Sequence, residues 1–218
     1  MTEFSVAQKI AIWALPVLFA ITVHEVAHGW VASKFGDQTA KLSGRLTLNP
    51  IKHIDLMGTI IIPIVMLIFS GFIFGWAKPV PVDPRNMRNP RRDMIFVSAA
   101  GPLANFIMAL IWAGIAKLSY TYLNHNEWFG IPIILMGEAG VMINVVLGVL
   151  NCLPIPPLDG GRIFVNLLPR RMGWRLSKLE PYSLLILVLL MVTGVLFYII
   201  GPPIIFLNKL IASLFGLP

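Results

Sequence analysis

Charge is what this sequence has least of. Lysine, arginine, aspartate and glutamate make up 12% of its 218 residues, about half of the ~25% usual in soluble domains. So few charges cannot coat a soluble globule of this size, and much of the apolar surface is expected to face lipid. Cysteine is nearly absent, and the lone Cys152 excludes an internal disulfide. The N-terminal apolar stretch has no small-residue cleavage site, so it is expected to be a retained membrane helix and not a removed signal. Internal repeats and low-complexity tracts are missing too.

What the sequence has is hydrophobic residues, 57% of the chain. They gather in five runs, at roughly residues 9–33, 57–75, 94–116, 131–153 and 182–200. Each is close to the ~20 residues a helix needs to cross the hydrocarbon core. The expected fold is an all-α polytopic membrane protein with about four to five transmembrane helices. A single domain over 1–218 is expected, with its core at 10–165 and a C-terminal helix and tail at 182–218. Pro202 and Pro203 are expected to stop the last helix, leaving an interfacial tail. The proline alternation Lys78-Pro79-Val80-Pro81-Val82-Asp83-Pro84 predicts a short extended or β segment over 78–84.

The formal net charge of +7 is concentrated in three loops. Residues 34–56 hold Lys34, Lys41, Arg45 and Lys52; residues 76–93 hold Lys78, Arg85, Arg88, Arg91 and Arg92; residues 154–181 hold Arg162, Arg170, Arg171, Arg175 and Lys178. Residues 117–130 hold only Lys117. The positive-inside rule and an anionic inner leaflet account for this pattern, so no nucleic-acid partner is expected. All three basic loops fall on the cytoplasmic side if the run 57–75 dips into the membrane and returns. Pro63, Gly71 and Gly75 favour that re-entrant form, while hydropathy alone favours a full span. The expected location is the cell membrane, with several passes.

The first apolar run contains His24-Glu25-Val26-Ala27-His28. On a helix, histidines at i and i+4 share one face, so two imidazoles can grip one zinc ion from a rigid support. Glu25 beside the first ligand can reach a zinc-held water and take its proton. Two histidines and a glutamate within five residues of an apolar span are costly in lipid, and a bound cation offsets that cost. One zinc per chain is therefore expected.

Catalytic zinc sites usually take three protein ligands. The candidates for the third are His53, His125, Glu127, Glu138, Cys152 and Asp159. His24 and His28 lie near the cytoplasmic end of the first run. The fourth run returns to that side and ends at Asn151-Cys152-Leu153-Pro154-Ile155-Pro156-Pro157-Leu158-Asp159-Gly160, which brings Asp159 to the correct level. Glu138 sits near the opposite end of that run, about 20 Å away along the axis. His125 and Glu127 fall in the far loop. His53 is on the correct side, in a basic loop where a solvated or interfacial histidine is the commoner case. The three prolines force the backbone open, which lipid tolerates where it lines a wet cavity. The same residues also suit an ordinary helix end with a turn at Asp159-Gly160-Gly161.

The first motif, joined to Asn151-x-x-Pro154-x-Pro156-x-Leu158-Asp159-Gly160, closely resembles the site-2 protease family of intramembrane zinc metalloproteases. Gly101-Pro102-Leu103-Ala104-Asn105 looks like a third signature of that family. The resemblance covers residues from about 10 to 165. It implies that His24, His28 and Asp159 bind zinc and that Glu25 is the catalytic base. It also implies that Asn151 helps hold substrate or developing charge. Asn105 either shares that role or bonds helix to helix, with Gly101 and Ala104 allowing close approach. In similar proteins a strand between the first two motifs contacts substrate by strand addition. The expected activity is zinc-dependent hydrolysis of peptide bonds in transmembrane protein substrates, within the lipid bilayer. The alternative is a zinc-binding membrane protein or transporter without proteolysis, in which Glu25 would be costly and idle. The lack of a G-x-S-G run speaks against an intramembrane serine protease.

Overall fold

A computed structural model describes residues 5–62, 75, 77–123 and 128–217. Its helices, in chain order, are α1 (Val6–Lys34), α2 (Thr39–Leu42), α3 (Pro90–Tyr122), α4 (Gly130–Asn151), α5 (Asp159–Leu167), α6 (Arg170–Ser177), α7 (Ser183–Val192) and α8 (Val195–Phe215). Short 3-10 turns at Pro50–His53, Pro84–Asn86 and Glu180–Tyr182 and a π-helical turn at Leu56–Ile61 fill the connections. No β-strand occurs among the described residues. Residues 77–83 form neither helix nor paired strand, and Asp83 at their end is extended.

Among the described residues, four helices are long and apolar enough to cross a membrane: Ile10–Lys34 within α1, then α3, α4 and α8. The chain is a multi-pass membrane protein. The expected run at 57–75 lies outside the described residues from 63 to 74.

The helices start where local chemistry favours a start. Ser5 caps α1 through a reciprocal pair with Gln8, at 3.3 and 2.8 Å, which satisfies two otherwise orphaned amides. Pro90 opens α3 with a φ already suited to a helix, and Asp93 accepts the Asn89 amide at 2.8 Å.

α3 and α4 form the centre, and α1 packs across both. Gly137 and Gly148 of α4 face Ala116 and Phe106 of α3; small residues let membrane helices approach closely. The apolar core joins Ala109, Trp112 and Ala113 of α3 with Val141, Val145 and Val149 of α4 and Leu196, Ile200 and Ile211 of α8. Large apolar side chains such as Leu103, Ile107, Leu110 and Leu118 face outward from α3, as a lipid-facing surface would.

The C-terminal region departs from expectation. Pro202 and Pro203 lie inside α8 and do not stop it. The break falls earlier, at Thr193-Gly194, where Gly194 adopts a left-handed φ of 75°. The proline rule is a rule for helices in water; within lipid-spanning helices, neighbouring groups and local adjustment make proline tolerable. The expected interfacial tail is thus the second half of a membrane-length helix.

Candidate metal centre

α1 carries His24 and His28 one turn apart, on the side that meets α3 and α5. α4 ends at Asn151, and the chain turns through Leu153–Leu158 with the Pro156–Pro157 bond in cis. α5 then begins with Asp159 in its first turn, where a carboxylate is favoured by the helix dipole. α5 packs on α3, so Asp159 reaches the two histidines.

The three donor atoms form a nearly equilateral triangle. His24 Nε2 and His28 Nε2 are 3.1 Å apart. Asp159 Oδ2 lies 3.2 Å from the first and 3.3 Å from the second. Ligand bonds of ~2.0–2.1 Å at a tetrahedral angle put neighbouring donor atoms about 3.3 Å apart. All three side chains are buried. Asp159 Oδ2 accepts no hydrogen bond; only the two Nε2 atoms face it.

The opposite ring nitrogens fix the tautomers. His24 Nδ1 donates to Asn105 Oδ1 and His28 Nδ1 donates to the Val97 carbonyl, each at 2.6 Å. With both protons held there, both Nε2 lone pairs point at the Asp159 carboxylate. Two lone pairs and an anionic oxygen facing one another in a buried site call for a cation. The donor set, two imidazoles and one carboxylate, suits zinc and leaves a fourth position for water.

Asn105 is completely buried. Besides holding His24, its amide nitrogen donates to the Ala20 carbonyl at 3.1 Å and to Asn144 Oδ1 at 3.0 Å. It therefore locks α1, α3 and α4 together behind the histidine. That position is on the far side of the His24 ring from the triangle. Asn151 is not hydrogen-bonded to the triangle; its amide donates back to the Leu147 carbonyl at 3.0 Å.

The rival third ligands fall elsewhere. His53 is buried, with Nε2 against the Thr47 carbonyl at 2.9 Å. Glu138 accepts from the Tyr120 hydroxyl at 2.9 Å. Cys152 is exposed at the end of α4. His125 and Glu127 lie outside the described residues.

Three contacts at the centre go beyond what the sequence shows. The Val97 carbonyl is a backbone group with no residue signature. Gly101 faces both imidazoles so closely that a methyl group there would collide with them. Glu25 Oε2 accepts the Val80 amide proton at 2.7 Å, across 55 residues of sequence.

Comparison with known proteins fits this centre. The sequence matches the profile of Peptidase family M50 over residues 12–132 and 126–194. It is 39% identical over 189 residues to "Putative zinc metalloprotease YwhC" of Bacillus subtilis, covering 86% of this chain and 83% of that protein. It is 30% identical over 180 residues to "Putative zinc metalloprotease Rip2" of Mycolicibacterium smegmatis, covering 82% and 66% respectively. To "Zinc metalloprotease MJ0392" of Methanocaldococcus jannaschii it is 23% identical over 173 residues, covering 78% of this chain and 39% of that protein. No solved structure matches. A histidine pair and an aspartate closing on one point, in a chain matched over most of its length, place this protein in peptidase family M50.

Proposed function

We propose that the protein is an intramembrane zinc endopeptidase of the site-2 protease type, acting on transmembrane protein segments. The observation that carries this reading is the convergence of His24, His28 and Asp159, whose donor atoms all lie within 4.8 Å of one another, between helices of membrane-spanning length. The names of the relatives point to the same metal and chemistry. The chain acts as one domain over 1–218.

His24, His28 and Asp159 would hold the zinc. When bound, zinc polarises the scissile carbonyl and makes a water acidic near neutral pH. Glu25 takes the proton of the attacking water and delivers it to the leaving amine. Asn105 keeps His24 in the tautomer that presents Nε2. Asn151, at the end of α4, holds the substrate backbone near the reacting carbonyl. A helical substrate hides its carbonyls in its own hydrogen bonds, so it must unwind locally, and helix-breaking residues near the cut should favour cleavage.

The reaction is set near the cytoplasmic face of the cell membrane. Support comes from contacts among the three basic loops. The Lys78 amide donates to the His53 carbonyl at 2.9 Å, and Asp37 accepts from Asp83 and Asn86. Arg91 donates to the Asn166 carbonyl at 2.8 Å and to the Leu168 carbonyl. The three loops thus meet at one end of the helices, as the positive-inside rule expects of cytoplasmic loops.

Comparing the membrane proteome of cells carrying wild-type protein with that of cells carrying Glu25→Gln tests this function. Single-span proteins should accumulate uncut in the variant. Identical proteomes, with zinc still bound to the variant, would instead support the non-proteolytic alternative.

A further inference from the structure

The proline-rich segment 77–83 runs beside the last turns of α1. Its middle residue, Val80, is 7% exposed, and its amide donates to Glu25 Oε2 at 2.7 Å. The flanking residues Pro79 and Pro81 have no amide proton, so Val80 is the donor that the centre of this segment can offer. Its side chain sits over Gly29, one turn beyond Glu25; a Cβ at Gly29 would lie 2.9 Å from Val80 Cγ1. Glycine at that position is what lets the segment approach the helix.

Both ends of the segment are fastened. The Lys78 amide binds the His53 carbonyl at 2.9 Å. At the other end the Asp83 amide donates to Asp37 Oδ2 at 2.7 Å. Asp37 is fully buried just past the end of α1. Its second oxygen accepts the Thr39 amide at 3.1 Å, the Thr39 hydroxyl, and Asn86 Nδ2 at 3.0 Å. Four donors on one carboxylate make a rigid anchor, since charge-assisted hydrogen bonds are about twice as strong as neutral ones. The prolines stiffen the residues between the two fastenings.

We propose that Asp37 and the Val80 amide are positioning groups for the Glu25 carboxylate. Asp37 fixes the segment against α1, and the Val80 N–H holds one carboxylate oxygen, so that the other faces the reacting water in a single orientation. The inference rests on the role proposed above for Glu25. A general base must be held within hydrogen-bond reach of its proton, and a misplacement of about 1 Å can cost on the order of 10²-fold.

The test uses purified full-length, zinc-loaded protein in detergent micelles. The probe is a single-span peptide with an Asn-Pro pair in its apolar stretch and a fluorophore and quencher at its ends. An amide-to-ester replacement at Val80 deletes the N–H and keeps the side chain; Val80→Ala does the reverse. The ester and Asp37→Ala should each lower kcat at least about tenfold, short of the ~10²–10⁴-fold cost of losing the base. KM and zinc content should stay near wild type. Val80→Ala keeps the amide, so its kcat should lie above that of the ester variant.

A second readout needs no turnover. Labelling proline carbonyls with ¹³C and valine amides with ¹⁵N selects Val17, Val80 and Val82, the three valines that follow proline. The Val80 proton should resonate downfield, as a donor to a carboxylate does, and move upfield in Glu25→Gln and in Asp37→Ala. An ester variant with wild-type or raised kcat, or a Val80 proton unmoved by both substitutions, would overturn the proposal. Failure of the function reading looks different: Glu25→Gln cuts the peptide at the wild-type rate, or wild type leaves it intact. The Val80 resonance still decides the contact in that case.

Discussion

His24 Nδ1 is held 2.6 Å from Asn105 Oδ1, and this bond sets which nitrogen of the histidine faces Asp159. Loss of such an outer partner typically costs 10–100-fold in metal affinity. Asn105→Leu should therefore weaken zinc retention by about that factor, measured by competition with a chelator. Asn105→Asp keeps an acceptor for Nδ1 and should retain zinc better than Asn105→Leu. The two should be similar in helix content, since the metal and not the backbone is at issue.

Gly101 shows how little room the centre leaves. A Cβ there would meet ring atoms of both His24 and His28, and packed interiors yield poorly to such overlap. Gly101→Ala should displace the imidazoles and reduce bound zinc to well below one per chain. Gly114→Ala, on the same helix, is the matched control: its Cβ would lie 3.7 Å from Phe215, an ordinary contact. Metal analysis of the two purified variants separates a lost site from a damaged helix.

The sequence made the metal triangle legible because its spacing encodes geometry. Histidines four apart on a helix must share a face, and Asp159 follows a helix that returns to the same level. Asn105 was readable either as a helix-to-helix tie or as sharing the role of Asn151; that it bonds His24, Ala20 and Asn144 required the packing. Asp37 and Val80 left no signal, because a backbone amide carries no residue identity and their contacts span 46 and 55 residues. The tandem proline of α8 was misread for a different reason. Water penalises a proline in a helix more than a protein-packed membrane does.

Asp37 predicts an acid limit to stability. Burial pushes its carboxyl up, but hydrogen bonds from Thr39, Asn86 and the Asp83 amide outweigh that and hold it below the ordinary carboxylate value. A group with a depressed folded pKa stabilises fully above its unfolded pKa, ~3.9 for aspartate, and loses that contribution as pH falls through the folded value. Wild type should thus melt above Asp37→Ala by a constant margin from about pH 8 to pH 5. The margin should shrink below about pH 4. A margin that widened on acidification would contradict the assignment of these bonds to the charged form.

The meeting of the basic loops predicts their sidedness. In a Cys152→Ser background, Asn89→Cys should be shielded from an impermeant thiol reagent added to intact cells. Leu123→Cys, at the end of α3, should react. Both positions should react once the membrane is opened. Labelling of Asn89→Cys from outside would place the metal centre near the outer face and overturn the cytoplasmic setting.

The last prediction separates the base from the metal. Glu25→Gln keeps the size of the side chain and can still accept the Val80 amide through its carbonyl oxygen, but it cannot take a proton. Neither histidine nor Asp159 changes, so one zinc per chain should remain. Cleavage should fall by ~10²–10⁴-fold, the usual cost of a lost general base. Asp159→Ala removes one corner of the triangle and leaves two imidazoles to hold the ion, so zinc itself should be lost along with cleavage. His53→Ala and Glu138→Ala leave the triangle intact and should retain it. The two inactive variants then look alike in a protease assay and differ in a metal assay. If Asp159→Ala kept full zinc while Glu25→Gln lost it, the roles assigned to these two carboxylates would have to be exchanged.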